Sequence, residues 1–194
     1  RRGLLRTTWV AAGVAVLATA GATVPLLRRV SVFAVNDGDG PMGIPINKTA
    51  AEVDVTAAAT SAAYRLELVG AGGTVRLSRE DLQAMAQHTE VLPIACVEGW
   101  SATGTWSGVR LRDLLALVDR PEGADVQVAS LQERGPFRVT HLPGNFVDDE
   151  RTLLALRLNG DPLALDHGYP CRLIAPNRPG VLQTKWVGRL EVLT

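Results

Sequence analysis

The sequence predicts an α+β fold: mixed β-sheets carrying a few short helices. Three observations point to it. Short β-favouring runs outnumber helical ones from residue 64 onward, Gly and Pro turn signals separate them, and no long βαβ alternation of the kind a parallel doubly wound sheet needs appears. The 194 residues suffice for one domain with a real core plus an appendage. With 20 basic and 20 acidic residues the chain has no net field to attract nucleic acid. Two cysteines cannot make a disulfide-rich scaffold, and a Cys96 to Cys171 bridge is the one intrachain pairing open to them.

Residues 1–29 open the chain with an uncharged apolar run from Thr7 to Leu27, rimmed by Arg1, Arg2 and Arg6 before it and Arg28 and Arg29 after it. A helix of this length reaches ~30 Å, the thickness of a bilayer core. Three readings fit: a retained transmembrane anchor, which is favoured, the last membrane helix of a larger protein, or an export signal. The last rests on Arg1-Arg2, which resembles a twin-arginine motif, and on Ala20-Gly21-Ala22 as a small-residue cleavage site. All three place the folded domain on the outer side of a membrane, periplasmic or equivalent. Residues 30–63 then turn to Gly, Pro, Asp, Ala and Thr, with the turn cluster Asp37-Gly38-Asp39-Gly40-Pro41, and read as a linker or N-terminal arm of little regular structure.

Residues 64–194 form the expected globular domain. Tyr64 to Val69 alternates as a strand, Gly70-Ala71-Gly72-Gly73 is a turn, and Thr74 to Leu77 is the returning strand of a hairpin. Ser78-Arg79-Glu80-Asp81 has the form of a helix cap, with Leu82 and Met85 on one face of the short helix that follows. A central strand is expected from about Val91 to Val97, opening into a Gly-rich loop over Ser101 to Gly108. Leu111, Leu114, Leu115 and Val118 recur at helical spacing, predicting a helix over Val109 to Asp119 that stops before Pro121. Asp125 to Leu131 and Phe137 to Leu142 read as strands. Asp148-Asp149-Glu150 places negative charge where a short helix through Leu156 would begin. Arg157 to Leu163 reads as strand, turn and strand, and Arg172 to Ala175 and Lys185 to Val192 close the sheets.

The chemistry centres on Cys96, carried to the end of the apolar run from Leu92, where a buried strand meets a loop. A neutral thiol there merely packs, whereas a thiolate is a soft ligand for a thiophilic metal. Residue type alone leaves both open. His88 and His141 stand apart from any metal-ligand spacing, and no haem attachment, nucleophile-elbow, phosphate-loop or dinucleotide motif is present.

The run Cys96-Val97-Glu98-Gly99-Trp100, followed by Trp106-Ser107-Gly108-Val109-Arg110-Leu111-Arg112-Asp113-Leu114-Leu115, resembles the cofactor-binding core of the sulfite oxidase family of molybdopterin enzymes. Within that family it is more similar to the periplasmic methionine sulfoxide reductase type. The likeness continues through His167-Gly168-Tyr169-Pro170-Cys171-Arg172 and Gln183-Thr184-Lys185-Trp186. The resemblance implies a sulfite-oxidase-like fold, Mo-molybdopterin as cofactor, and Cys96 as both the molybdenum ligand and the catalytic centre. It further implies cofactor contacts from Asn47 on the arm (with Thr49 beside it), Ser130, His167, Arg172, Gln183, Thr184 and Lys185. Arg178 enters the same region on a loop and faces an anionic substrate or phosphate in this reading. Trp100 and Trp106 either wall the pocket or pack in the core, and Glu98 is given no catalytic role.

The expected function is two-electron oxo transfer to or from a small molecule, with reduction of a sulfoxide or N-oxide favoured because no arginine follows the ligand cysteine closely. Sulfite oxidation is the enzymatic alternative, and a non-catalytic extracytoplasmic module that has lost the cofactor is the alternative of another class. No second redox centre is encoded in the motifs, so electrons pass through a separate haem- or quinone-linked partner.

Overall fold

The computed structural model describes residues 40–96 and 99–193. The apolar run from Thr7 to Leu27, the acidic turn residues Asp37 and Asp39, and the pair Val97 and Glu98 lie outside the described residues. No described helix is long and apolar enough to cross a membrane.

Two sheets carry the described residues, the first mixed and the second antiparallel throughout. In the first, β1 (Leu66–Gly70) pairs with β2 (Gly73–Leu77) as the expected hairpin and, on its other edge, lies parallel to β10 (Val187–Val192). β10 in turn pairs antiparallel with β5 (Val126–Ser130), which pairs with β6 (Val139–Leu142). The second sheet runs β3 (His88–Ala95), β4 (Ser101–Arg110), β7 (Leu153–Leu158) and β8 (Asp161–Pro162), with β9 (Arg172–Ile174) also paired to β7.

Sequence alternation explains the layering. β7 is buried on both faces: Leu154 and Leu156 pack into the large core with Leu66, Leu68, Val128, Leu190 and the helix residues Leu111, Leu114 and Leu115. Leu153, Ala155 and Leu158 face the other way, onto Trp106, Leu92, Ile94, Ile174 and Ile44. A strand covered on both sides shows a continuous apolar run instead of alternation.

Among the described residues four short α-helices complete the fold: α1 (Thr56–Thr60), α2 (Arg79–Ala84), α3 (Leu111–Ala116) and α4 (Gly144–Asp148). α2 starts on a reciprocal capping box, Ser78 accepting from the Asp81 amide while the Asp81 carboxylate accepts from the Ser78 amide, as Ser78-Arg79-Glu80-Asp81 predicts.

Four expectations need correction. Ser101 to Gly108 is not a loop but most of β4, the longest of the described strands, and α3 accordingly begins at Leu111 and not at Val109. The strand that delivers Cys96 is an edge strand among the described residues, not a central one. Asp148 ends α4 and does not start a helix; the segment after it becomes β7 because six nearly uninterrupted apolar residues bury better in a sheet covered on both sides. The arm from residue 40 to 63 is packed: Ile44 is buried against Trp106 and Leu158, while Ala50, Val55 and Ala59 enclose Trp186.

Candidate functional site

Five segments converge on one cleft: the end of β3, the arm around Asn47, the β5–β6 connection, the turn entering β9 and the turn entering β10. One half of the cleft, about 90 Å³ and open to solvent on one side, is lined by Asn47, Lys48, Arg172, Gln183, Thr184 and Lys185 and by a wall of Gln132 and Arg134 to Phe137, with Gly180 at its edge. The adjoining half, about 20 Å³, is lined by Ile44, Asn47, Ile94, Cys96, Trp100, Asp166, His167, Arg172 and Lys185. Asn47, Arg172, Gly180 and Lys185 border both halves, so the cleft is continuous from the Gln132 loop to the Cys96 thiol.

Arg172 is the floor. It is 5% exposed, and its guanidinium carbon lies 5.1 Å from the centre of the Trp106 ring. Nη1 donates to the His167 carbonyl at 3.0 Å and Nη2 to the Gln183 carbonyl at 3.3 Å, while Nε is buried without a hydrogen-bond partner. Among the described residues no carboxylate pairs with it, and burial alone pulls its pKa down to about 9. A buried guanidinium held by carbonyl dipoles and an indole face, short of one acceptor, is a site waiting for an anion.

Lys185 makes a second cation on the same wall. Its Nζ donates to the carbonyls of Lys48 and Asp166 and sits 4.5 Å from the Trp186 ring centre. Burial first, and the like charge of Arg172 next, pull it down to about 7. His167 is buried at the end of a 3₁₀ turn, where Nε2 lies 2.6 Å from the Pro41 carbonyl. A carbonyl only accepts, so Nε2 carries the proton; burial lowers the imidazole's pKa, which keeps it neutral and leaves Nδ1 as an acceptor. Gly168, at φ +112°, lets the chain turn between His167 and Arg172: a Cβ there would lie 2.9 Å from the Arg172 Cβ and 3.2 Å from the Lys185 Cβ.

The remaining candidates divide. Asn47 borders both halves of the cleft. Thr49 instead caps the arm, its amide and hydroxyl donating to the Glu52 carboxylate at 2.7 and 2.9 Å. The Gln183 side chain braces the turn instead of facing outward: Oε1 accepts from the Ala175 amide and Nε2 donates to the Arg178 carbonyl. Thr184 bonds the Thr140 hydroxyl at 2.9 Å. Ser130 does not line the cleft; its hydroxyl donates to the Lys185 carbonyl at 2.8 Å and so fixes the strand that presents the lysine. Cys96 is half-buried with a free thiol, and Cys171 is buried and free, its sulfur 3.1 Å from the Tyr64 hydroxyl. The pairing of the two cysteines is thus not formed. Of the two tryptophans, Trp106 takes the core alternative, fully buried and stacked under Arg172, while Trp100 lines the half of the cleft beside Cys96. The wall of the β5–β6 connection, Gln132 and Arg134 to Phe137, carries no signal in the sequence that would have marked it, since it reaches the cleft only through the folding of distant segments onto one another.

Among the described residues no cluster of three or more His, Cys, Asp and Glu side chains could hold a metal by itself. A single thiol beside two cations, of which Arg172 has no carboxylate partner among the described residues, instead suits a group that brings its own further ligands and its own negative charge.

The profile of the oxidoreductase molybdopterin binding domain matches residues 52–194. Mouse mitochondrial sulfite oxidase is 30% identical over 157 residues, covering 66% of this chain and 29% of that protein. A protein named as a protein-methionine-sulfoxide reductase subunit from Azospira oryzae is 31% identical over 134 residues, covering 68% of this chain and 50% of its own length. Among solved structures, the sulfane dehydrogenase SoxCD from Paracoccus pantotrophus superposes with a TM-score of 0.59 at 27% identity, over 66% of this chain and 38% of that one. The chain therefore spans half or less of the length of these three relatives.

Proposed function

Because the chain belongs to the oxidoreductase molybdopterin binding domain family and is a molybdenum-dependent oxidoreductase domain with molybdopterin as its cofactor, we propose that it reduces a small sulfoxide or N-oxide by two-electron oxo transfer. The single observation that carries this reading is the cleft that joins the Cys96 thiol to Arg172 and Lys185. The residues fit the cofactor. Its phosphate offers the acceptor that the buried Arg172 Nε lacks and the counter-charge that Arg172 does not find among the described carboxylates. The pterin's polar edge matches Asn47 and the free Nδ1 of His167. When bound, the cofactor supplies a metal able to exchange two electrons and an oxygen atom with the substrate.

The protein's own part is to bind and orient. Cys96 holds the metal through its thiolate and sets its electronic character. Arg172 and Lys185 hold the anionic tail, Asn47 and His167 fix the pterin, Gln183 and Thr184 shape the turn whose backbone meets it, and Ser130 steadies Lys185 from behind. For a sulfoxide the balance is R₂SO + 2 H⁺ + 2 e⁻ → R₂S + H₂O: the S–O bond breaks and the oxygen leaves as water. A separate haem- or quinone-linked protein supplies the electrons. The direction is supported by the Azospira relative and by the scarcity of cations on the substrate side of Cys96. Oxidation of sulfite is the second reading, supported by the mouse relative. We further place the domain on the outer face of a membrane, anchored by the uncharged run from Thr7 to Leu27 or exported by the twin-arginine route.

Protein made in a molybdenum-competent host, assayed with a viologen reductant on sulfoxides and N-oxides and with an electron acceptor on sulfite, tests the reading. Turnover of neutral oxides supports it; turnover of sulfite alone, with molybdenum bound, contradicts the direction.

A further inference from the structure

The two halves of the cleft measure about 90 and 20 Å³, well below the ~300 Å³ at which pockets for organic ligands begin. A wall therefore has to move before the cofactor can enter. The tighter half, beside Cys96, is bounded by the consecutive arm residues Ile44, Pro45, Ile46 and Asn47 and by no residue of the β5–β6 connection. Pro45, Ile46 and Asn47 belong to no helix or strand and make no hydrogen bond to another described residue. They are the part of that wall free to shift.

The segment is held at its two ends. Upstream, Ile44 is buried against Trp106 and Leu158, and the Pro41 and Met42 carbonyls before it meet His167 Nε2 at 2.6 Å and Asn159 Nδ2 at 2.7 Å. Downstream, the Ala50 amide donates to the Asp166 carboxylate at 2.8 Å, and the Lys48 carbonyl accepts from Lys185 Nζ. Asp166 stands in the 3₁₀ turn Leu165–His167, whose Leu165 carbonyl takes the Trp186 indole N–H at 2.7 Å and whose Asp166 carbonyl takes Lys185 Nζ at 3.0 Å. One turn thus grips both ends of the arm segment and the pair of residues that leads into β10.

The two ends are unequal. Ile44 buries a large aliphatic side chain whereas Ala50 buries a methyl, so the downstream end depends on its polar contacts. One of these, Lys185, is the ammonium that an anion in the cleft draws away from the Lys48 carbonyl. The Asp166 carboxylate is the contact that stays with the arm whether the cleft is empty or filled.

Resting on the cofactor assignment above, we infer that residues 45–49 form a strap that lifts to admit the cofactor and closes over it, with the Asp166 carboxylate as its latch on the Ala50 amide. The latch stabilises the closed strap in the empty and the loaded protein alike. It therefore slows entry and exit together and leaves affinity almost unchanged, which separates it from a residue that only helps to hold the cofactor.

The test uses the full chain, with molybdopterin taken from a donor molybdenum enzyme as the probe and the fluorescence of the oxidised pterin as the readout. Asp166→Ala removes the acceptor of one charge-assisted bond, so loading and release should both quicken about tenfold while their ratio moves less than about threefold. A second measurement needs no variant: by hydrogen exchange in the unaltered, cofactor-free protein, the Ala50 amide should open at least about tenfold more often than the β7 amides, which are exposed only when the core unfolds. Rates that do not move, release that quickens while loading stays fixed, or an Ala50 amide as protected as those of β7 overturns the latch and spares the cofactor site. An unaltered protein that takes up no molybdopterin overturns the cofactor assignment itself.

Discussion

The Arg172 guanidinium lies over the Trp106 indole, 5.1 Å from the ring centre, with its Nε unpartnered and no carboxylate pairing with it among the described residues. Trp106 in turn is pinned by its own Nε1–H to the Leu92 carbonyl at 3.2 Å, two residues before the apolar end of the strand that carries Cys96. The cation proposed to anchor the cofactor tail and the strand that carries the proposed metal ligand thus share one aromatic plate.

Arg172→Met should therefore separate binding from folding. It loses two charge-assisted bonds to carbonyls, each worth about 1.5–3 kcal/mol, but relieves the burial of an uncompensated charge. The cofactor-free protein's Tm should move by only a few degrees, while molybdenum retention after gel filtration falls at least about tenfold. Thermal unfolding paired with metal analysis checks this.

Lys185 gives a pH signature. Its folded pKa, near 7, lies well below its ordinary value, so in the cofactor-free protein the charged lysine is a burden at low pH that is relieved as pH rises through 7 toward the unfolded pKa. An anion in the cleft needs the protonated form. Cofactor affinity should fall as pH rises above about 7, with proton uptake on binding, and Lys185→Met should flatten that slope. Equilibrium dialysis across pH 6–9 reports it.

Gly168 is expected to be intolerant of alanine. Its φ of +112° strains any other residue, and the added Cβ would press on both Arg172 and Lys185. The left-handed strain alone costs of order 1–3 kcal/mol. Gly168→Ala should lower Tm by several degrees and cofactor content further than Tm explains, measured by calorimetry and metal analysis.

Tyr64→Phe serves as the counter-case. The hydroxyl donates to the Val187 carbonyl at 2.7 Å and meets the Cys171 sulfur, inside the large core and away from the cleft. Its loss leaves a buried carbonyl short of a donor, a cost of about 1–3 kcal/mol. Stability should drop, with molybdenum content per folded molecule unchanged.

How much of this the sequence showed depends on whether the signal was local. The β1–β2 hairpin and the Ser78 capping box were legible because turn and cap chemistry act within four residues. The Gly-rich run was misread because glycine usually marks a loop, yet Gly108 sits mid-strand: a Cβ there would lie 2.1 Å from the Leu154 carbonyl, so only glycine lets β4 and β7 close. Of the site, Cys96, His167, Arg172 and Lys185 carried a motif, and Asn47 reached the cleft as expected. That the Ser130 hydroxyl bonds the Lys185 carbonyl, and that Arg178 keeps an orphaned donor, could not be seen, because both depend on contacts between segments distant in sequence.

The most direct test of the central claim is metal and visible-absorption analysis of Cys96→Ser beside the unaltered protein, both made in the same molybdenum-competent host. The account predicts that the unaltered protein carries molybdenum and a thiolate-to-metal charge-transfer band, and that the variant, folded to the same Tm, loses the band and most of the metal. A Cys96→Ser protein that keeps its full molybdenum and the same spectrum would contradict it.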